Sequence, residues 1–137
     1  MNLSLSRSTV VSLIPARNMT RAIKFYTKAL GAKVLMRGTG QMRNYWSSIR
    51  VGDSEFWLIG MAKPEKRTLA YTTFCVKNID ATAKKLQASG VRFERPERMG
   101  PETKIEGPVA HDRYGSAAFF KDSEGNLLML WQAPASM

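Results

Sequence analysis

One pattern occurs twice in this chain, about sixty residues apart, and it fills most of the 137 residues. The first copy runs Val10-Val11-Ser12-Leu13-Ile14, then Asn18-Met19-Thr20-Arg21-Ala22, an amphipathic stretch, Gly31, and Lys33-Val34-Leu35. The second runs Tyr71-Thr72-Thr73-Phe74-Cys75-Val76, then Asn78-Ile79-Asp80-Ala81-Thr82, an amphipathic stretch, Gly90, and Val91-Arg92-Phe93. A repeat of this kind restricts the fold to two similar units laid in tandem. Each unit begins with a strand and then a helix. Met19, Ala22, Ile23, Tyr26, Ala29 and Leu30 share one helical face, as do Ile79, Ala83 and Leu86 in the second copy. Asn18 is placed to cap the first helix and Asn78 or Asp80 the second; Gly31 and Gly90 supply the stops.

Strand-like runs follow each helix. In the first copy they cover 33–37, 45–51 and 55–61, with Gly52-Asp53 as the tight connection between the last two. In the second they cover 91–94, 116–121 and 126–132, with Asp122-Ser123-Glu124-Gly125 as a hairpin. The pattern predicts an α+β domain of two tandem βαβββ modules, 8–61 and 69–133, joined by a Lys-, Glu- and Pro-rich linker at 62–68. Residues 95–112, with three prolines and two glycines, read as a long loop, either a functional lid or a disordered insertion.

Composition narrows the partners. The longest apolar run is too short to cross a bilayer, so a membrane is not expected. Cys75 is the only cysteine, which excludes an internal disulfide and fits a cytoplasmic protein. Its apolar neighbours suggest a small buried hydrophobe rather than a reactive thiol. The net charge is +10, divided as +9 through residue 68 and +1 beyond it. Such asymmetry raises the question of nucleic acid. The positive residues are dispersed, however, and no nucleic-acid-binding motif accompanies them. A solvated basic surface is the better reading, and a nucleic-acid or regulatory role ranks last.

Two strings carry a family resemblance. The segment Ala22-Ile23-Lys24-Phe25-Tyr26-Thr27-Lys28-Ala29-Leu30-Gly31-Ala32 resembles the first-helix signature of the vicinal-oxygen-chelate (glyoxalase/bleomycin resistance/dioxygenase) superfamily. Tyr114 to Asp122, followed by Glu124-Gly125-Asn126-Leu127-Leu128, is similar to its C-terminal hairpin signature. The resemblance implies strands curled into a mixed sheet around a cleft, often completed in a homodimer. It also implies four metal-ligand positions, which fall here on Val11, Trp57, Tyr71 and Met129. None is His or Glu, and valine, tryptophan and methionine cannot hold a divalent ion in such a site. No metal and no other cofactor is therefore expected. Glu55 would reach a ligand position only by a two-residue slip, and one carboxylate would be too few. The sole histidine, His111, lies outside the pattern, on the long loop and without an evident partner.

Val11, Trp46, Trp57, Tyr71, Phe119 and Met129, with Leu13 and Trp131 beside them, are the candidate cleft residues; the alternative is that they fill a closed core. An aromatic, polarizable lining suits an organic ligand with planar parts. The family's binders of cationic bleomycin-type drugs are acidic around the groove, and a +10 chain would repel such drugs. The expected function is thus metal-independent sequestration of a small, neutral or anionic, partly aromatic molecule. The alternative is a lyase, isomerase or dioxygenase-like enzyme using His111, Tyr71, Arg50 or Glu55.

Overall fold

A computed structural model describes residues 10–60, 72–98 and 100–135. The linker at 62–68 and Tyr71 lie outside these. The first module contains β1 (Ser12–Ala16), α1 (Met19–Lys24), β2 (Lys33–Arg37), β3 (Trp46–Val51) and β4 (Ser54–Gly60). Its sheet has the order β1-β4-β3-β2, with β1 parallel to β4 and the other pairs antiparallel. The helix continues beyond α1 as a π-helical turn, Phe25–Ala29. The second module contains β5 (Thr72–Cys75), α2 (Ile79–Ala88), β6 (Lys104–Glu106), β7 (Val109–Asp112), β8 (Gly115–Lys121) and β9 (Leu127–Gln132). Its order is β5-β9-β8-β7-β6, and here β5 runs parallel to β9. The two sheets repeat one topology: the first strand pairs parallel with the last.

The expected helix signals act as anticipated. Asn18 Oδ1 accepts from Arg21 N at 2.9 Å, and Asn78 Oδ1 accepts from Ala81 N at 3.1 Å. Gly31 and Gly90 end the helices at φ +73° and +93°, a region that disfavours side chains. The buried stripe of α1 and the π-helical turn (Met19, Ala22, Tyr26) covers the helix-facing side of the first sheet, where Ile14, Ile49, Phe56 and Leu58 are buried. The ring of Tyr26 meets that of Phe56 edge-on at 5.1 Å. In the second module Ile79 and Ala83 belong to the same core as Ala118, Phe120, Leu128 and Leu130.

The family-like strings of the two modules touch each other. Tyr26 Oη donates to Asp122 Oδ2 at 2.6 Å in a buried contact. Asp122 also accepts from the backbone of Glu124 and Asn126, and from Asn126 Nδ2. Asn126 Nδ2 in turn reaches Pro15 O at 2.7 Å. Glu124, with no side-chain exposure, accepts from Asn18 N at 2.6 Å and pairs with Arg21 at 2.7 Å. The β8–β9 turn is therefore a polar latch that closes onto β1 and α1. Burial raises the Asp122 carboxyl above its ordinary range, opposed by the donors around it. Burial also acts to raise Glu124, but hydrogen bonds from Arg21, Asn18 and Ser123 outweigh it and leave that carboxyl lowered.

Three expectations need correction. Residues 91–94 do not form a strand: Phe93 makes one isolated bridge to Phe120, and Glu94 N donates to Phe119 O at 2.7 Å. Pro96 follows, has no N–H, and cannot carry the ladder further. The vacated edge of β8 is taken by β7, which pairs Ala110 with Ala117 and His111 with Ser116. The long loop at 95–112 thus contains an ordered hairpin, β6–β7. Cys75 is exposed rather than buried, because in β5 its neighbour Phe74 points to the helix side and alternation turns Cys75 away.

Candidate functional site

Each sheet has a second face, turned away from its helix. Strand alternation and register fix its residues. On the first sheet Leu13 pairs with Trp57, Trp57 with Ser48, Glu55 with Arg50, and Arg50 with Lys33, so these side chains share the open face. Trp46 lies beside them on β3, opposite Ile59. The Trp46 and Trp57 rings meet at 5.6 Å and 84°, an edge-to-face pair. Trp57 Nε1 donates to Glu55 Oε2 at 2.8 Å, and Ser48 Oγ donates to the same oxygen at 2.8 Å. These two bonds, aided by the Arg50 charge, hold the Glu55 carboxyl below its ordinary range. Glu55 needs no slip to reach this face, since residues two apart on a strand point the same way. The indole of Trp57 is consequently fixed at its polar end and half-buried.

On the second sheet, Phe119 pairs with Met129, and Met129 with Thr73. Trp131 lies opposite both Ala117 and Cys75. Gly115, at φ +139°, lets this indole lie against the backbone; a Cβ there would stand 2.6 Å from Trp131 Nε1. The candidate residues thus fall into two sets. Trp46 and Trp57, with half-buried Val11 just before β1, belong to the first sheet; Phe119 and Met129 belong to the second. Among the described residues, no ring contact or hydrogen bond joins the two sets. Both faces leave apolar area in solvent, with Leu13 at 55%, Met36 at 60% and Phe119 at 36% exposure. Val11, Trp46, Trp57 and Met129 are half-buried. Two depressions lie along the long connection and its exit, one lined by Gly100, Pro101 and Asp112 to Tyr114, the other by Arg95 to Arg98 with Ile105 and Gly107.

The family's metal positions do not fit a metal here. Val11, Trp57 and Met129 offer no nitrogen or carboxylate donor. Glu55 Oε2 already serves two donors, and Glu94 is paired with Lys121 at 3.5 Å on the other sheet. His111, read as a lone loop residue, is on β7 with three partners: Ser116, Asp80 and Glu106. Its signal in the sequence was the five-residue spacing to Ser116, which is legible only once β7 and β8 are known to pair. No helix among the described residues is long and apolar enough to cross a membrane.

A profile of the Glyoxalase/Bleomycin resistance protein/Dioxygenase superfamily matches residues 9–130. The chain belongs to this superfamily. Among solved structures, UcmS2 is 24% identical, with 90% of this chain and 97% of that one covered at a TM-score of 0.66. TnmS3, an antibiotic binding protein from Streptomyces sp. CB03234, is 21% identical, with coverage of 91% and 96% and a TM-score of 0.64. The fosfomycin resistance protein FosX from Listeria monocytogenes is 13% identical, with coverage of 94% and 95% and a TM-score of 0.67. At these identities the likeness establishes the superfamily fold and nothing finer. No curated protein matches this chain.

Proposed function

We propose that this superfamily member binds and sequesters a small, partly aromatic, neutral or anionic molecule without using a metal. The observation that carries the reading is the Trp46–Trp57 pair, pinned by Glu55 on an uncovered sheet face beside Arg50 and Lys33. A fixed, half-buried indole gives a planar ligand a stacking edge with little side-chain ordering left to lose. The two nearby cations and the +10 net charge favour an anionic group on that ligand. The antibiotic-binding description of TnmS3 and the resistance description of FosX support a protective role. Exposed Leu13, Met36 and Phe119 support closure of the open faces by a second copy of the chain. Exposed, unpaired Cys75 supports a cytoplasmic setting.

The test is quenching of tryptophan emission by neutral and carboxylated naphthoquinones and anthraquinones, repeated with Trp57→Ala. Loss of an aromatic anchor weakens binding by about 2 kcal/mol, or roughly thirty-fold. Equal affinity in the variant would remove Trp57 from the site. Light scattering at several concentrations checks the second copy.

A further inference from the structure

Outside the open faces, one cluster of metal-ligating side chains is present among the described residues, and neither the sheet topology nor the reading above requires it. Asp80 in the first turn of α2, Glu106 at the end of β6 and His111 in β7 each bring one donor atom into the cluster. The donors lie within 4.8 Å of one another. His111 Nε2 is 3.2 Å from Asp80 Oδ1 and 3.8 Å from Glu106 Oε2.

We propose that Asp80, Glu106 and His111 form a binding site for a divalent transition-metal ion, with zinc as the expected occupant. An ion bound at about 2.0–2.2 Å from each donor holds its ligands some 3–3.7 Å apart; His111 stands at this spacing from Asp80 and close to it from Glu106, and the two carboxylates are within 4.8 Å of each other. One imidazole and two carboxylates are donors zinc accepts, and water completes the tetrahedron. The histidine is oriented for the task. His111 Nδ1 lies 2.8 Å from Oγ of Ser116, which is 7% exposed. Donation from Nδ1–H to that oxygen leaves the Nε2 lone pair facing the carboxylates, the arrangement by which outer partners fix a ligating histidine. Lys104 Nζ is 3.1 Å from Glu106 Oε1 and occupies that oxygen, leaving Oε2 for the ion. The nearby ammonium weakens the site without blocking it.

The consequence is mechanical. Asp80 belongs to the helix, whereas Glu106 and His111 belong to the hairpin that occupies the edge of β8. An ion bridging them clamps β6–β7 to α2. The site is on the helix side of the sheet, since His111 pairs with Ser116 and reaches α2, while the neighbouring pair Ala110 and Ala117 faces the open side. It is independent of the ligand reading above.

The experiment uses the tag-free full chain, stripped with a chelator and titrated with Zn²⁺ alone by calorimetry. Co²⁺ serves as a spectroscopic probe. The expected result is one ion per chain, a raised melting temperature, and a Co²⁺ visible spectrum of low-symmetry four-coordinate type. His111→Ala removes all three. Because that change also leaves buried Ser116 without its partner, Glu106→Gln, at an exposed position, gives the same test without touching the core. Ser116→Ala keeps the ligands and weakens Zn²⁺ binding about ten-fold. No binding up to millimolar Zn²⁺ overturns the proposal. So does binding that His111→Ala and Glu106→Gln leave unchanged, since the ion then resides elsewhere.

Discussion

Replacing Tyr26 by Phe removes one oxygen and tests whether the latch between the modules holds them together. The Tyr26 hydroxyl donates at 2.6 Å to a buried carboxylate, Asp122. A hydrogen bond to a charged acceptor contributes about 1.5–3 kcal/mol. Asp122 Oδ2 keeps Asn126 Nδ2 at 2.8 Å, so the carboxylate is not left bare and the lower half of that range applies. A loss of about 1.5–2 kcal/mol lowers the melting temperature of a domain this size by about 5–9 °C. The assay is urea unfolding of Tyr26→Phe, Asp122→Asn and the double variant. The coupling between the two sites should be about 1 kcal/mol or more. Alkaline titration gives a second readout. Burial, and then the Asp122 charge, raise the Tyr26 phenol well above its ordinary value. The folded chain therefore keeps a proton that the unfolded chain releases near pH ~10. The stability this proton confers is complete below that pH and declines as the pH rises toward the folded value. Tyr26→Phe should flatten this alkaline limb. Strict additivity in the cycle, with an unchanged alkaline limb, would refute the latch.

Glu124→Gln loses the charge that Arg21 and Asn18 N engage and costs about 1–2 kcal/mol at neutral pH. Its carboxyl is lowered in the fold, so its contribution is present above the ordinary glutamate value and lost as pH falls through the folded one; variant and wild type should converge in acid unfolding. Gly115→Ala strains a φ of +139° and drives a methyl into Trp131, costing about 1–3 kcal/mol and shifting tryptophan emission. Leu58→Ala, on the helix side at 0% exposure, costs about 2–5 kcal/mol. Leu13→Ala, on the open side, should change the melting temperature of dilute protein little; a loss that grows with concentration would report burial by a second copy.

The fold was legible because its signals are local. Asn18 and Asn78 announce helix starts, Gly31 and Gly90 announce stops, and the Gly52 and Gly125 turns separate strands that pair as neighbours. The second module's middle was not legible for a complementary reason. Phe93 looks like the centre of a strand, yet Pro96 ends its pairing after one bridge, and the hairpin that replaces it contains the short, polar strands β6 and β7. Nothing in the alternation of Lys104-Ile105-Glu106 distinguishes it from a loop. The partners of His111 were hidden in the same way, because α2, β6 and β7 converge only in three dimensions.

The candidate site was half legible, and the two faces of each sheet account for this. Positions facing the helices are bound to core packing: Ile14, Ile49, Phe56 and Leu58 must be apolar and must fit Tyr26 and Ala22. Positions facing away, Trp57 and Met129 among them, carry no such duty, so a substitution there leaves what the helix covers undisturbed. That freedom lets the chain keep the superfamily's strings while the positions that the resemblance gives to ligands hold apolar and aromatic residues. It also explains why register could place Trp57 on the open face but not foresee Glu55 and Ser48 pinning its indole. Those contacts depend on β3 and β4 pairing Ser48 with Trp57, two register steps from Glu55. Function in this fold is therefore written on side chains that the fold itself does not need. The chemistry of the open face has to be read contact by contact.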